Sequence, residues 1–367
     1  MLAQNGEYGA WVYHNPVRIT AGPGCRKLLA KALEGYAHVL LLTTSGMVRR
    51  GVVPELTGMG CQWSVQEVLS EPTIDFLDAT VAAWKQKPVQ AIVALGGGSV
   101  MDAGKALCLG LRSALERPLR AWLCQGQALP AMAPLPLFVL PTTTGTGAEV
   151  TPFATVWDKT ELKKYSLSSA CLYPGQAFLD PELTLSLPLA STLYSALDAI
   201  SHALETLWNK HATPMSLLHA RHALEILTKV LAEGMETPPS LEQRAQMQYA
   251  AFLAGLAISQ NRTSIAHAMS YPLTLHFGVP HGLACAVFLR NILALLQENR
   301  VFLSRVDSAV LTKIVHILEQ QNFAVRLSAF CTQGDITAVR NEMLCSERST
   351  TFLLANPVEY LDQITRL

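Results

Sequence analysis

The stretch AIVALGGGSVMDAGKAL, residues 91–107, restricts the fold more than any other part of the chain. It reads as a short buried strand, a triple glycine and then a helix. Three glycines let a backbone turn tightly and approach a bulky anion without side-chain clash. The helix that follows aims its free N–H groups and the positive end of its dipole at the same place. A pyrophosphate suits that description. The spacing is not the G-x-G-x-x-G of the Rossmann fingerprint, however, and the turn alone reads equally well as a structural device. HVLLLTT (38–44) and LFVLP (137–141) are further strand candidates, and 74–87 and 101–115 carry helical patterning. Strands alternating with helices argue for a parallel sheet covered on both faces. The early residues WVYHNPVRITAG alternate in the manner of an extended hairpin arm.

From about residue 186 the texture changes. Segments 190–208, 214–233, 241–260, 264–276, 282–296 and 301–320 all show helical periodicity, separated by Pro214, Pro238 and Pro239, Asn261 and Pro280. The chain of 367 residues is too long for one small core, and with 50% hydrophobic residues it supplies two. The expectation is an α/β nucleotide-binding domain with a parallel sheet over 1–185 and an all-helical domain over 186–367. Lysine plus arginine and aspartate plus glutamate are balanced at 28 each without basic runs, which excludes an electrostatic footprint for nucleic acid or an anionic membrane. No apolar run approaches the roughly 20 residues of a membrane span, and the first thirty residues do not read as a secretory signal. Eight scattered cysteines with no C-x-x-C pair read as reduced, buried thiols of a cytoplasmic protein, in a bacterial-type cytosol.

A second loop, PTTTGTGAEVT (141–151), also follows an apolar strand and carries five threonines and two glycines. Hydroxyls and exposed N–H groups suit a ribose or a nicotinamide amide, although an ordinary strand-to-turn loop looks the same. Two such loops at the ends of neighbouring parallel strands stand where open sheets bind ligands, and together they favour a dinucleotide. In the helical half, SALDAISHALETLW places Asp198, His202 and Glu205 on one stripe of an otherwise apolar helix. His267 and His281 stand in similar apolar context. Each alone reads as an ion pair, a core histidine or a turn residue. Collectively they are costly to bury without a partner, and a divalent cation is one of the few that offsets the cost. Three imidazoles and one carboxylate suit Fe(II), Zn(II), Co(II) or Ni(II) better than calcium or magnesium.

The set GGGSVMDAGKA, PTTTGTGAEVT, DAISHALE, IAHAMSYPL and GVPHG, in that order and spacing, resembles the iron-dependent (group III) alcohol dehydrogenase family over essentially the whole chain. The resemblance implies a nucleotide-binding α/β domain facing a helical metal-binding domain. It implies the metal ligands Asp198, His202, His267 and His281, with Fe(II) or Zn(II) as the ion. For the cofactor it implies Gly97, Gly98, Ser99 and Asp102 at the pyrophosphate turn, Thr142, Thr143 and Thr151 in the second loop, and Lys164 at a ribose. The activity implied is hydride transfer between NAD(P)H and a small aldehyde or primary alcohol, by a homodimer or larger homo-oligomer. Within the family, KKYSLSS, ATPMS and AHAMSYPLTLHFGVPHG are similar to the branch that reduces phosphonoacetaldehyde to 2-hydroxyethylphosphonate. The alternatives are a general short-chain alcohol dehydrogenase and a dehydroquinate synthase-like lyase. The lyase would need a lysine and arginine cluster in the helical half that the sequence does not have.

Three departures from the family pattern, and one arginine, bear on function. Thr44 stands where many NAD-preferring members have an aspartate that repels a 2′-phosphate. Thr43 and Ser45 could donate to such a phosphate, with Arg49 or Arg50 nearby, so NADP(H) is expected to be preferred over NAD(H). Glu71 stands where relatives often have asparagine near the adenine ribose. Tyr271 replaces a second histidine one turn after His267. Its phenol has an unperturbed pKa of about 10 against about 6.5 for imidazole, which leaves Tyr271 as a candidate proton relay with His276 as a substitute. Arg262, near the start of the His267 helix, is the first candidate counter-charge for a phosphonate.

Overall fold

The computed structural model describes residues 9–58, 60–69, 71–129, 133–161, 163–232, 237–344 and 347–367. The chain divides into two units. A sheet unit comprises Asn15–Thr143 and Ala148–Leu187; a helical unit comprises Pro188–Leu367 with Thr144–Gly147 and the N-terminal stretch up to His14.

The strands of the sheet unit are β1 (Arg18–Ala21), β2 (His38–Thr43), β3 (Gln62–Glu67), β4 (Ala91–Gly96), β5 (Leu137–Pro141), β6 (Phe153–Asp158), β7 (Lys163–Ser168) and β8 (Gln176–Leu179). Six of them form one parallel sheet in the order β1-β8-β5-β4-β2-β3, and β6 with β7 forms a separate antiparallel hairpin. Every residue of β2, β4 and β5 is buried, so these strands read in the sequence as unbroken apolar runs. β1 and β3 lie at the two edges and are partly exposed, and their mixed composition hid them. The segment WVYHNPVRITAG is not a hairpin arm. Its strand β1 pairs in parallel with β8, from Arg18 opposite Gln176 to Ala21 opposite Leu179, a partner too remote in the chain to leave a local signal.

Register aligns the strand ends that matter. Thr43 stands opposite Leu95, and Gly96 opposite Pro141, so the segments that leave β2, β4 and β5 emerge along one edge of the sheet. Strand order also reverses between β2 and β4, the position where open parallel sheets take ligands. Helix α1 (Ser45–Arg49) follows β2, α2 (Ile74–Trp84) precedes β4, and α3 (Gly98–Gly110) follows β4.

The helical unit is built from α4 (Leu189–Leu207), α5 (Pro214–Ala232), α6 (Leu241–Asn261), α7 (Ile265–Phe277), α8 (His281–Ala286), α9 (Leu289–Leu296), α10 (Arg300–Ser304) and α11 (Ser308–Gln320), followed by shorter pieces. Two stretches with continuous periodicity are broken. The stretch 282–296 divides between Ala286 and Leu289. The stretch 301–320 divides before Asp307, whose carboxylate accepts the Ala309 and Val310 N–H groups at 2.8 and 3.0 Å and caps α11. Trp208, fully buried, packs edge-on against Phe352 with ring centroids 6.1 Å apart. Among the described residues no helix is long and apolar enough to cross a membrane. Cys25, Cys108, Cys285 and Cys331 are buried free thiols, whereas Cys61 and Cys171 are half-buried and Cys124 is exposed, so the thiols are not uniformly interior. Cys345 lies outside the described residues.

Candidate metal and nucleotide sites

In the helical unit, α4 carries Asp198, His202 and Glu205 on one face, as its turn length dictates. Helices α7 and α8 bring His267 and His281 to the same carboxylate. His267 Nε2 lies 3.5 Å from Asp198 Oδ1, and the Nε2 atoms of His202 and His281 each lie 3.9 Å from it. The His202 and His267 rings stack with centroids 4.5 Å apart, and the His281 ring stands edge-on to His267 at 5.4 Å. The close approach of α8 depends on Gly282. A Cβ there would sit 1.9 Å from the Tyr194 carbonyl oxygen on α4, so only hydrogen fits at the residue after His281.

Hydrogen bonds orient the imidazoles. Glu205, fully buried, accepts the His267 backbone N–H at 2.9 Å and its Nδ1–H at 2.7 Å. His202 Nδ1 donates to the Gly145 carbonyl at 3.2 Å. Both rings thereby turn Nε2 toward Asp198, the arrangement by which a second hydrogen bond fixes a metal-ligating histidine. Asp198 Oδ1 and His267 Nε2 are buried yet have no hydrogen-bond partner. Such orphans are costly in a protein interior. Donors held about 2.1 Å from one cation at tetrahedral angles stand roughly 3.4 Å apart, close to the spacing found here. The residues present fit a divalent ion.

Charge follows the same geometry. Burial would raise the Asp198 carboxyl, but His202, His267 and His281 outweigh it and hold it well below the carboxylate range. Burial lowers His202 to about 4, with Asp198 opposing, so His202 is a neutral donor at pH 7. Burial opposes charge on His267 too, but Cys285, Glu205 and Asp198 raise it well above an ordinary imidazole. A divalent cation bound there would have to displace that proton.

Sequence reasoning missed one member of the cluster. The donor atoms of Asp198, His267, His281 and Cys285 all lie within 4.8 Å of one another. Cys285 follows His281 by four residues on α8, a spacing that places both on one helix face and was readable in HGLAC. Glu205 was visible on the stripe, but its role in orienting His267 required the fold. Of the remaining residues singled out in this unit, Arg262 is exposed at the end of α6 with φ of 61°, where its carbonyl accepts from Asn209 Nδ2 at 3.5 Å. Tyr271 stands one turn after His267, with the Arg348 guanidinium 5.4 Å from its ring centre. Burial raises its phenol above the usual value. His276 is on the surface, paired with Glu342 at 2.9 Å.

In the sheet unit, Gly97 is the extended N-cap of α3 and brings no side-chain cap, so the first-turn N–H groups at Gly98 and Ser99 are left to an external acceptor. A Cβ on Gly97 would meet Thr143 Cγ2 at 3.1 Å. Thr142 N–H donates to the Gly96 carbonyl at 3.0 Å, which binds the second loop to the glycine turn, and Thr143 Oγ1 is buried without a partner. Asp102 and Thr151 brace this framework from within. Asp102 Oδ2 accepts the Thr155 N–H at 2.9 Å, and Thr151 Oγ1 accepts from the buried Lys105 Nζ at 3.2 Å. Lys164 is on β7, with Nζ 5.4 Å from the Trp157 ring centre. At the end of β2, Thr44 caps α1 by accepting the Met47 N–H at 3.4 Å. Arg50 folds back over the same turn, its Nη1 3.2 Å from the position of a Cβ on Gly46. Thr43 is not available to a phosphate, because its hydroxyl is buried and donates to the Leu95 carbonyl at 3.0 Å. Glu71 is exposed.

Residues 16–181 match the iron-containing alcohol dehydrogenase family, and residues 192–334 match the C-terminal domain of the same family. The chain belongs to the iron-containing alcohol dehydrogenases. At the level of the family it is a nicotinamide-dependent oxidoreductase of alcohols and aldehydes. It is 33% identical over 285 residues to the phosphonoacetaldehyde reductase of Streptomyces viridochromogenes, a match covering 76% of this chain and 71% of that one. It is 30% identical to the sulfoacetaldehyde reductase of Bilophila wadsworthia, covering 76% and 74%. Among solved structures, the sulfoacetaldehyde reductase of Bifidobacterium kashiwanohense in complex with NAD+ superimposes with a TM-score of 0.87 at 27% identity, covering 98% of each chain.

Proposed function

We propose that this alcohol dehydrogenase reduces a small aldehyde with an anionic head, phosphonoacetaldehyde first, to the primary alcohol, and that it prefers NADPH. The metal-dependent part rests on one observation: the buried Asp198 Oδ1 and His267 Nε2 face each other at 3.5 Å without hydrogen-bond partners. Asp198, His202, His267 and His281 would hold Fe(II) or Zn(II), with Glu205 keeping His267 aligned. When bound, the cation supplies Lewis acidity at the carbonyl and the nicotinamide supplies hydride. Gly97, Gly98 and Ser99 present backbone N–H groups to the pyrophosphate, and Thr142 and Thr143 flank it. Asp102, Thr151 and Lys164 complete the proposed cofactor set, the first two by bracing the turn. Tyr271 keeps its proton at neutral pH and is the proposed proton donor.

Support for an anionic substrate comes from the start of α7 and from two relatives whose names pair an acetaldehyde with a phosphonate or a sulfonate. Arg348 donates to Thr263 Oγ1 where the His267 helix begins, and Arg262 immediately precedes Thr263 in the chain. Support for NADPH comes from Thr44 in place of an aspartate, Ser45 and the folded-back Arg50 at the end of β2, although Glu67 stands opposite Thr43 on β3.

The test is a panel of short aldehydes with and without a phosphonate or sulfonate, assayed with NADPH and NADH after loading with iron or zinc. The phosphonate is expected to give the highest kcat/KM. Arg262→Ala and Arg348→Ala should raise KM for it far more than for propanal, and equal effects would remove both from the substrate site. Thr44→Asp should move preference toward NADH. A wild-type enzyme already favouring NADH would overturn the cofactor reading.

A further inference from the structure

We propose that Cys285 is a ligand of the metal, which makes the site a mixed oxygen, nitrogen and sulfur set. The proposal rests on the reading that this cluster holds a divalent cation. Cys285 Sγ lies 3.7 Å from His281 Nε2 and 3.8 Å from Nδ1, and it shares the 4.8 Å cluster with the donor atoms of Asp198 and His267. A thiolate bound at about 2.3 Å and an imidazole at about 2.05 Å from one ion stand within roughly 3.6 Å of each other. Sγ is 3.7 Å from Nε2 and 3.8 Å from Nδ1, beside the His281 ring, so a turn of that ring brings both donors onto one ion. The two orphaned atoms in the cluster, Asp198 Oδ1 and His267 Nε2, are both more than nine-tenths buried and converge on the same volume.

The fold explains why sulfur arrives there. Cys285 is on the same face of α8 as His281, one turn on, and α8 is held against α4 by the closely fitted Gly282. The thiol is 1% exposed, which leaves it no solvent-facing alternative. On coordination the thiol gives up its proton to solvent and the ion gains one sulfur bond, with no change of oxidation state. Thiolate favours softer ions, so the site should retain Zn(II) and Co(II) better than the carboxylate and three imidazoles alone would against competing hard donors. Cys285 would thus be a fifth donor beside Asp198, His202, His267 and His281, with His202, whose Nε2 is 3.9 Å from Asp198 Oδ1 and which stacks on His267, reaching the ion from the α4 side.

The test uses the full chain stripped of metal and titrated with one equivalent of Co(II), with stoichiometry read by elemental analysis and coordination read by absorption. The expected result is one bound cobalt, a near-ultraviolet sulfur-to-cobalt charge-transfer band, and loss of that band in Cys285→Ser and Cys285→Ala. Both variants should bind cobalt at least as poorly as loss of an outer-shell partner would make them, roughly 10–100-fold. Bound cobalt with visible d–d bands but no charge-transfer band in the wild-type chain overturns Cys285 as a ligand and leaves the metal reading intact. The same holds if the band survives both substitutions. Failure of the wild-type chain to bind cobalt overturns the metal reading and this proposal with it.

Discussion

Two buried glutamates set the two units apart. Glu205 in the helical unit is fully enclosed, but the His267 ring and backbone N–H both donate to it. Burial pushes its carboxyl up, and those partners outweigh the push and hold it below the ordinary value. Glu149 in the sheet unit is equally enclosed, and there burial prevails and raises the carboxyl to about 7, with its own backbone hydrogen bond and Lys105 offsetting only part of it. The difference extends to the candidate sites. The sheet unit offers a ligand backbone N–H groups around a glycine turn, whereas the helical unit offers charged side chains prearranged around an uncompensated centre. A buried charge is tolerable in proportion to the donors fixed around it.

The largest effect should come from removing that centre. Asp198→Ala should abolish metal retention and turnover together, checked by elemental analysis and by nicotinamide oxidation at saturating aldehyde. Retained turnover without metal would erase the distinction between the two units. Glu205→Gln keeps the shape but weakens the acceptor for the His267 Nδ1–H, and metal affinity should fall roughly 10–100-fold in a chelator competition. In the sheet unit, Gly97→Ala would place a methyl 3.1 Å from Thr143 Cγ2. Its effect should be a severalfold rise in the KM for nicotinamide cofactor with metal content unchanged, and a change in metal content would show that the two sites are not separable.

The most modest effect concerns pH. Because the folded chain holds the Glu149 proton up to about 7 while the unfolded chain releases it near the ordinary 4.5, the folded state keeps more of that proton in this window. The Glu149 contribution to stability therefore falls as pH rises from 4.5 to about 7, opposite in slope to that of His202, and Glu149→Gln should remove that decline from the urea midpoints. A decline that persists in the variant would assign it to another group.

What was legible in the sequence follows the same division. The central strands announced themselves because burial on both faces demands unbroken apolar runs such as VLLL and AIVAL. The edge strands β1 and β3 carry polar residues, and β8 is short and its partners are far along the chain, so local pattern could not find them. The glycine turn was readable as a continuous motif, because the groups that would bind are its own backbone. The helical cluster draws on three helices, and there Asp198, His267 and His281 stood out only as polar residues in apolar surroundings. Cys285 was passed over although its spacing from His281 was readable, since a buried cysteine on a helix is ordinary core until an imidazole is found beside it. Thr43 shows the opposite failure: a hydroxyl at a strand end invited a ligand, and the neighbouring strand's carbonyl had already taken it.

Gly282 has a consequence for anyone redesigning the catalyst. Because the Tyr194 carbonyl fills the space beside its α-carbon, the position admits no side chain, and the distance between α4 and α8 is fixed by an atom that cannot be enlarged. Libraries meant to alter ion preference should therefore freeze residue 282 and diversify residue 285, where the same helix offers a replaceable donor at an unaltered spacing.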